Sequence, residues 1–320
     1  MYKRLPRMFF SLSVSIIIGI LLCVSTYWLL ISPPRAFPAP YHLVIEPGQT
    51  LFSISHELVQ DQVIRSPRVF EMLMLTFGSE KRISDGEYYF AAPTSVIEIA
   101  LRISGKQFGI DRQKVTFPEG FSNADMARRL KQLFPEFNDT LFLQLGAQYQ
   151  GYLFPDTYGF FPSTEPDVVI AALKRTFAEK IGPYNEAIAA SGHSKAEIIT
   201  MASIIEKEAA GADRAMVAGI LWKRIAHGMP LQVDAPFLYL LGKESKDLTR
   251  EDLAMRSPYN TYINKGLPPM PINNPGLAAI DAALHPTPSA YLYYLHDSTG
   301  GIHYASTYAV HKKNITTYLK

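Results

Sequence analysis

Residues 202–211 read ASIIEKEAAG, two glutamates flanking one lysine at the end of an otherwise apolar run. On a helix with about 100° between successive residues, Ile198, Met201, Ala202, Ile205 and Ala209 form one apolar stripe, and Lys207 points away from it. Glu206 lies at one edge of the stripe, beside Ile199 and Ala202. Glu208 lies at the other, beside Met201 and Ile204. Being two residues apart, the carboxylates project about 200° from each other and do not serve one site together. Apolar neighbours desolvate a carboxyl and raise its pKa from the usual value of about 4.3. Such a group keeps its proton near neutral pH and acts as a general acid. Cleavage of a glycosidic bond by two carboxylates would take the partner from elsewhere in the chain. The same wheel also fits two solvated flanks of an amphipathic helix, and it does not choose between Glu206 and Glu208.

Downstream, LQVD (231–234), SPYNTYINKGLPPMPINNPG (257–276), AALHP (282–286) and GGIHYASTYAVH (300–311) mix amides, hydroxyls and tyrosines with proline and glycine. Proline and glycine fix loop shape, and fixed loops position polar side chains. A cleft lined with Tyr, Asn, Thr, Gln and Asp suits a sugar chain: rings pack its C–H faces, and amides bond its hydroxyl or acetamido groups. Capped loops with tyrosines packed in strands are the plainer alternative. Other chemistries lack their motifs. There is no GxGxxG, no Walker loop and no GxSxG, and no cofactor is expected. The eight histidines include no HExxH and no pair at i,i+4, so no metal site is expected, and His303 and His311 read as loop and packing residues. The net charge of +2 gives no sign of a nucleic-acid partner.

The elements that must position these residues begin at a basic end. Lys3, Arg4 and Arg7 form a short N-terminus (1–7), expected in the cytoplasm, before an uncharged stretch from Met8 to Pro34. At about 1.5 Å per residue, a helix over 8–32 spans a bilayer core of roughly 30 Å. Tyr27 and Trp28 read as interfacial anchors near its outer end. A cleaved signal peptide is the rival, but the stretch is long for one and no A-x-A site follows. The single cysteine, Cys23, falls inside the span and reads as a small apolar residue. Residues 33–41 form a proline-rich, extended linker.

Residues 42–107 read as a compact subdomain. It has a strand at His42–Glu46, helical spacing through Leu51, Ile54 and Leu58 and again through Val69–Phe77, a strand at Glu87–Phe90, and a capped helix Val96–Ile103. The order strand–helix–helix–strand, with PGQTLFSIS opening the first helix, resembles the LysM glycan-binding modules. A packing subdomain without a ligand fits equally. Residues 108–320 read as one α+β domain. Its helices start at Ser122 and run over about 166–180, 184–191, a stretch opened by the capping box of Ser194 with Glu197, and Asp213–His227. Apolar residues make up 48 % of the 320, enough for a sizeable core.

Taken in order, ASIIEKEAA, MPLQVD, YNTY, GLPPMPINNPG and AALHP resemble the YceG-like family, the MltG-type endolytic murein transglycosylases. TFPEGF (116–121) and GYLFPDTYGF (151–160) resemble two further blocks, so the likeness covers nearly the whole chain. It implies that Glu206, the first Glu of the E-K-E triplet, is the lone catalytic acid/base. The reaction implied is non-hydrolytic cleavage of the MurNAc-β-1,4-GlcNAc bond within peptidoglycan strands, leaving 1,6-anhydro ends. Gln232, Asp234, Tyr259, Asn260, Thr261 and Asn274 match motif positions expected to line the groove. The implied setting is the bacterial inner membrane, through one N-terminal helix, with the catalytic domain outside the cytoplasm. Glycan strands are the expected substrate, and cell-wall synthases the partners implied by analogy. The chain departs from the family pattern at Gln150, Ala235, Ala309 and Val310, which bears on the C-terminal part of the groove. Two rivals keep the same residues: a tethered, non-catalytic peptidoglycan-binding scaffold, and a hydrolase using water at the same site.

Overall fold

Alternation makes the first strand. In YHLVI, Tyr41, Leu43 and Ile45 are buried and His42 and Val44 are exposed, the period-2 pattern of a half-covered strand. In this computed structural model, which describes residues 17–21, 24–77, 83, 85–109, 112–243 and 245–319, the chain divides into two units, Met1–Arg112 and Gln113–Lys320.

The first unit pairs β1 (Tyr41–Ile45) antiparallel with β2 (Gly86–Phe90), with Tyr41 opposite Phe90 and Ile45 opposite Gly86. Between them lie α1 (Leu51–Gln60) and α2 (Pro67–Thr76), and α3 (Val96–Ser104) follows β2. Each helix starts on a hydroxyl that accepts a backbone N–H, namely Thr50, Ser66 and Ser95. The proline-rich segment does not stand free as a spacer: Phe37 is buried in this core, and Arg65 donates to the carbonyls of Ser32 and Pro33 at 3.0 and 2.9 Å. Of the expected membrane span, residues 8–16, 22 and 23, with Cys23, lie outside the described residues. Among those described, no helix is long and apolar enough to cross a membrane.

The second unit is mixed α+β, with helices around two two-stranded sheets. Strands β3 (Gln113–Thr116) and β4 (Thr157–Phe160) pair antiparallel, Val115 opposite Tyr158, and close over α4 (Asn123–Leu133) and α5 (Asp139–Gly146). After α6 (Pro166–Ile181) and the short α7 (Asn185–Ala190) comes α8 (Lys195–Glu208), opened by the Ser194–Glu197 capping box. Next are α9 (Asp213–Ala226), α10 (Ala235–Leu241), α11 (Arg250–Ala254) and α12 (Leu277–Leu284). The hairpin β5 (Tyr293–His296) and β6 (Ile302–Ala305) leads to α13 (Tyr308–Tyr318).

Helix α8 is the pillar of this unit. Every residue from Ile198 to Ile205 is buried, including Thr200 and Ser203. The amphipathic stripe read from the wheel is therefore too narrow. Helices α9, α10 and α12 all pack on α8, so little of its surface is left for water until the last turn. Ser203 repays its burial by donating to Thr200 O at 2.7 Å and accepting from Ile272 N at 3.1 Å.

Candidate active site

The last turn of α8 is where side chains leave the core. Glu206 stays largely covered, with its side chain 5 % exposed, and both oxygens are held. Arg214, at the start of α9, donates from Nη2 to Oε1 at 2.7 Å. Gly276 N–H, at the amino end of α12, donates to Oε2 at 2.9 Å. Positive φ at Gly120 (78°) lets the loop after β3 pass close over Glu206: a Cβ added at Gly120 would lie 3.3 Å from Glu206 Cγ. Burial pushes the Glu206 carboxyl above its ordinary range. Gly276 N–H and Arg214 pull it down, nearby Glu119 pushes it up again, and Lys207 pulls it down. The result is a carboxyl that exchanges a proton more readily near neutral pH than a solvated one.

Past its neighbours Gly120 and Lys207 lies a cavity of about 520 Å³, whose wall also includes Phe121, Arg128, Tyr239, Ile272 and Asn273; the Glu206 carboxyl itself is not on that wall. Among the described residues, no three His, Cys, Asp or Glu side chains converge as a metal site.

Glu208 points elsewhere, as the spacing requires. It accepts from Tyr294 Oη at 2.9 Å and from the backbone of Ala235. Burial, together with the nearby Asp234 charge, pushes it up to about 7, against the Tyr294 and Ala235 hydrogen bonds. The solvated flank expected for Glu208 is thus corrected: β5 and the start of α10 cover that side of the helix. Both elements come from chain remote in sequence, which a helical wheel does not see.

The remaining expected site residues fall into two groups. Gln232, Asp234 and Tyr259 are at least partly accessible. Gln232 sits at φ 52°, a left-handed conformation costly for a residue with a Cβ, and its Oε1 accepts from Arg224 Nη2 at 2.5 Å. Asp234 accepts from Tyr262 Oη at 2.6 Å. The Tyr259 ring lies 5.4 Å from that of Tyr239, and of the two only Tyr239 is on the cavity wall.

Asn260, Thr261 and Asn274 are buried, and their side chains are committed to the chain itself. Asn260 Nδ2 donates to Leu253 O and Met255 O, both at 2.9 Å. Thr261 Oγ1 donates to Val233 O at 2.8 Å and accepts from Val233 N at 3.2 Å. Asn274 Oδ1 accepts from Gly151 N and Leu153 N at 2.9 and 3.0 Å, while Nδ2 donates to Phe121 O and Asn123 Oδ1, both at 3.0 Å. One side chain thereby ties together the blocks at 116–121, 151–160 and 266–276. Gln150 is buried and accepts from Asn123 N at 3.1 Å, and Ala235 is buried at the start of α10. Ala309 and Val310 are exposed on α13.

Sequence reasoning missed Arg214, Glu119 and the Gly276 amide. Glu119 and Gly276 stand inside two of the quoted blocks, but nothing in the spacing of those blocks says that they meet. Arg214, eight residues after Glu206 and across the α8–α9 turn, gives no signal of its own.

Residues 43–317 match the sequence profile of the YceG-like family. The chain belongs to the YceG-like family. Among its relatives, the endolytic murein transglycosylase of Bacillus subtilis (strain 168) is 30 % identical over 301 residues, covering 86 % of this chain and 84 % of the relative. That of Streptococcus pneumoniae serotype 2 (strain D39) is 30 % identical over 244 residues, 64 % of this chain and 44 % of the relative, so the match spans less than half of the pneumococcal protein. The 2.6 Å crystal structure of the putative yceG-like protein lmo1499 from Listeria monocytogenes superposes with a TM-score of 0.57 at 28 % identity, over 86 % of this chain and 99 % of that one. The YceG-like blocks quoted from the sequence all lie within the matched range.

Proposed function

We propose that this YceG-like chain is an endolytic lytic transglycosylase of peptidoglycan, with Glu206 as its single acid/base. The observation that carries the reading is Glu206 itself: an almost covered carboxyl, clamped at both oxygens, whose neighbours Gly120 and Lys207 line a cavity of about 520 Å³. Protonated Glu206 gives its proton to the glycosidic oxygen as the bond from MurNAc C1 to that oxygen breaks, releasing GlcNAc with a free 4-hydroxyl. The Glu206 carboxylate then takes the proton of the muramyl C6 hydroxyl, and O6 closes on C1 to leave a 1,6-anhydro end. The proton returns to Glu206 and no water is consumed, so one carboxyl serves both halves. Gln232, Asp234 and Tyr259 are the accessible members of the expected groove. Asn260, Thr261 and Asn274 support it from behind.

The test is the mass of the products from purified glycan strands. Anhydro-ended fragments are expected, each lighter by one water than its hydrolysed counterpart. Reducing ends would assign a hydrolase instead, and binding without fragments would assign a scaffold. The reading of residues 8–32 as a membrane anchor, with the catalytic domain beyond the cytoplasmic membrane, is supported by the exposed apolar side chains Ile17, Ile18, Leu21, Trp28 and Leu29. Release of the full chain from membranes by alkaline carbonate, without detergent, would count against it. The LysM-like reading of residues 42–107 predicts glycan binding by that subdomain, and undiminished glycan retention in a chain lacking it would remove the assignment.

A further inference from the structure

Glycine at position 276 is not required by its backbone. Its φ of −79° and ψ of 170° are open to any residue. What a side chain there would meet is Glu119: an added Cβ would lie 1.8 Å from Oε1 and 2.0 Å from Cδ of that carboxyl. Glu119 therefore seats its carboxylate against the Cα of Gly276, the residue whose N–H holds Glu206 Oε2. Its neighbour Gly120 packs over the stem of Glu206, and the loop is pinned by Gly120 N donating to Asn274 O and Asn274 N donating to Phe121 O, both at 2.9 Å. Glu119 is exposed, yet its backbone neighbours are fixed. Two acidic side chains from remote parts of the sequence thus meet at one glycine, Glu206 at its N–H and Glu119 against its Cα, while Arg214 holds the other oxygen of Glu206.

We propose that Glu119 acts on the reaction through Glu206, as a fixed negative charge that opposes Arg214 across Gly276. The inference rests on Glu206 being the acid and base of the reaction, and it makes Glu119 a positioning residue rather than a catalytic one. The physical need is plain. A carboxyl held by a guanidinium and an N–H favours its anion, and an anion is no acid. The charged and polar groups that face Glu206 are Arg214 from α9, the Gly276 amide of α12, Lys207 on its own helix, and Glu119. Of these four, only Glu119 disfavours ionisation, in the same direction as burial. With Glu119 in place, Glu206 gives its proton to the leaving oxygen and afterwards competes for the proton of the C6 hydroxyl.

The test is Glu119→Gln in the full chain, which keeps the shape and removes the charge. The pH dependence of kcat on glycan strands is expected to show a basic limb, where Glu206 loses its proton. In the variant that limb is expected to move to lower pH by about half a unit or more, with kcat near neutrality down roughly threefold and KM unchanged. Arg214→Gln is expected to move the same limb to higher pH. Glu119→Asp, which restores the charge on a shorter stem, brings the limb part of the way back. Titration of the ¹³C-labelled Glu206 carboxyl by NMR is expected to follow the same shifts without any turnover. It therefore separates failure of this inference from failure of the assigned reaction. A pH profile and a Glu206 titration that superpose on those of the native chain would overturn the proposal. So would a raised KM with an unmoved limb, which would make Glu119 a substrate contact.

Discussion

Glu206 and Glu208 are the same residue type on the same turn of one helix, and burial pushes both carboxyls upward. They differ in what lies beyond them. Glu206 faces a guanidinium and a backbone N–H, which hold one oxygen each. Glu208 faces the hydroxyl of Tyr294 and the first amide of α10, both uncharged. Desolvation makes either group able to hold a proton. Only Glu206 has a cationic partner, Arg214, to steady its anion between giving up a proton and taking one back. A perturbed carboxyl is therefore a candidate until its surroundings are known, and the charge beside it separates the two.

The largest expected effect tests that distinction directly. Glu206→Gln should lower the formation of anhydro-ended fragments by roughly a thousandfold or more in a chain that is still folded by circular dichroism, since general acid–base catalysis contributes about 10² to 10⁴. Glu208→Gln should retain activity within about threefold, because Gln still accepts from Tyr294. Counting anhydro ends by mass spectrometry settles both. An inactive Glu208→Gln beside an active Glu206→Gln would invert the comparison.

The next effect concerns the wall behind Glu206, and it marks where the sequence stops being readable. Helices α4, α6, α8 and α9 were legible because each carries a cap or a sustained apolar period. The Ser194–Glu197 box stands where the pattern puts it. The β3–β4 pairing was not, because its partners are separated by some forty residues and neither run is long. Helix α13 was hidden too, because its tyrosines read as strand residues. At the site, Glu206 was singled out by the motif blocks. The direction in which a loop amide points was not legible, since an amide binding sugar and an amide binding backbone use the same atoms. Asn274 turns inward. Asn274→Ala would leave the N–H groups of Gly151 and Leu153 and the amide oxygen of Asn123 without these partners, while Phe121 O keeps the backbone N–H of residue 274, and should cost about 3 kcal/mol in denaturant unfolding. Because Asn274 holds the loop that covers Glu206, kcat should fall as well, even where the protein remains folded. A loss of substrate affinity alone, at full stability, would return Asn274 to the groove.

The smallest effect probes the closed face. Glu208 is raised to about 7 from an ordinary value of 4.5, so the folded protein binds this proton more tightly than the unfolded chain does. The stability it contributes is fully present below about pH 4.5 and is lost as the pH rises through about 7. Glu208→Gln carries no such proton. Between pH 5 and pH 8 its melting temperature should therefore fall less than that of the native chain, by an amount corresponding to on the order of 1 kcal/mol. Tyr294→Phe should act oppositely. The Tyr294 hydroxyl holds the ionised form of Glu208 down, so removing it raises the carboxyl further and steepens the decline. Parallel melting curves for the native chain and Glu208→Gln across this range would mean that water reaches Glu208. In that case desolvation would no longer mark Glu208, and the choice of Glu206 would rest on its partners, Arg214 and the Gly276 N–H.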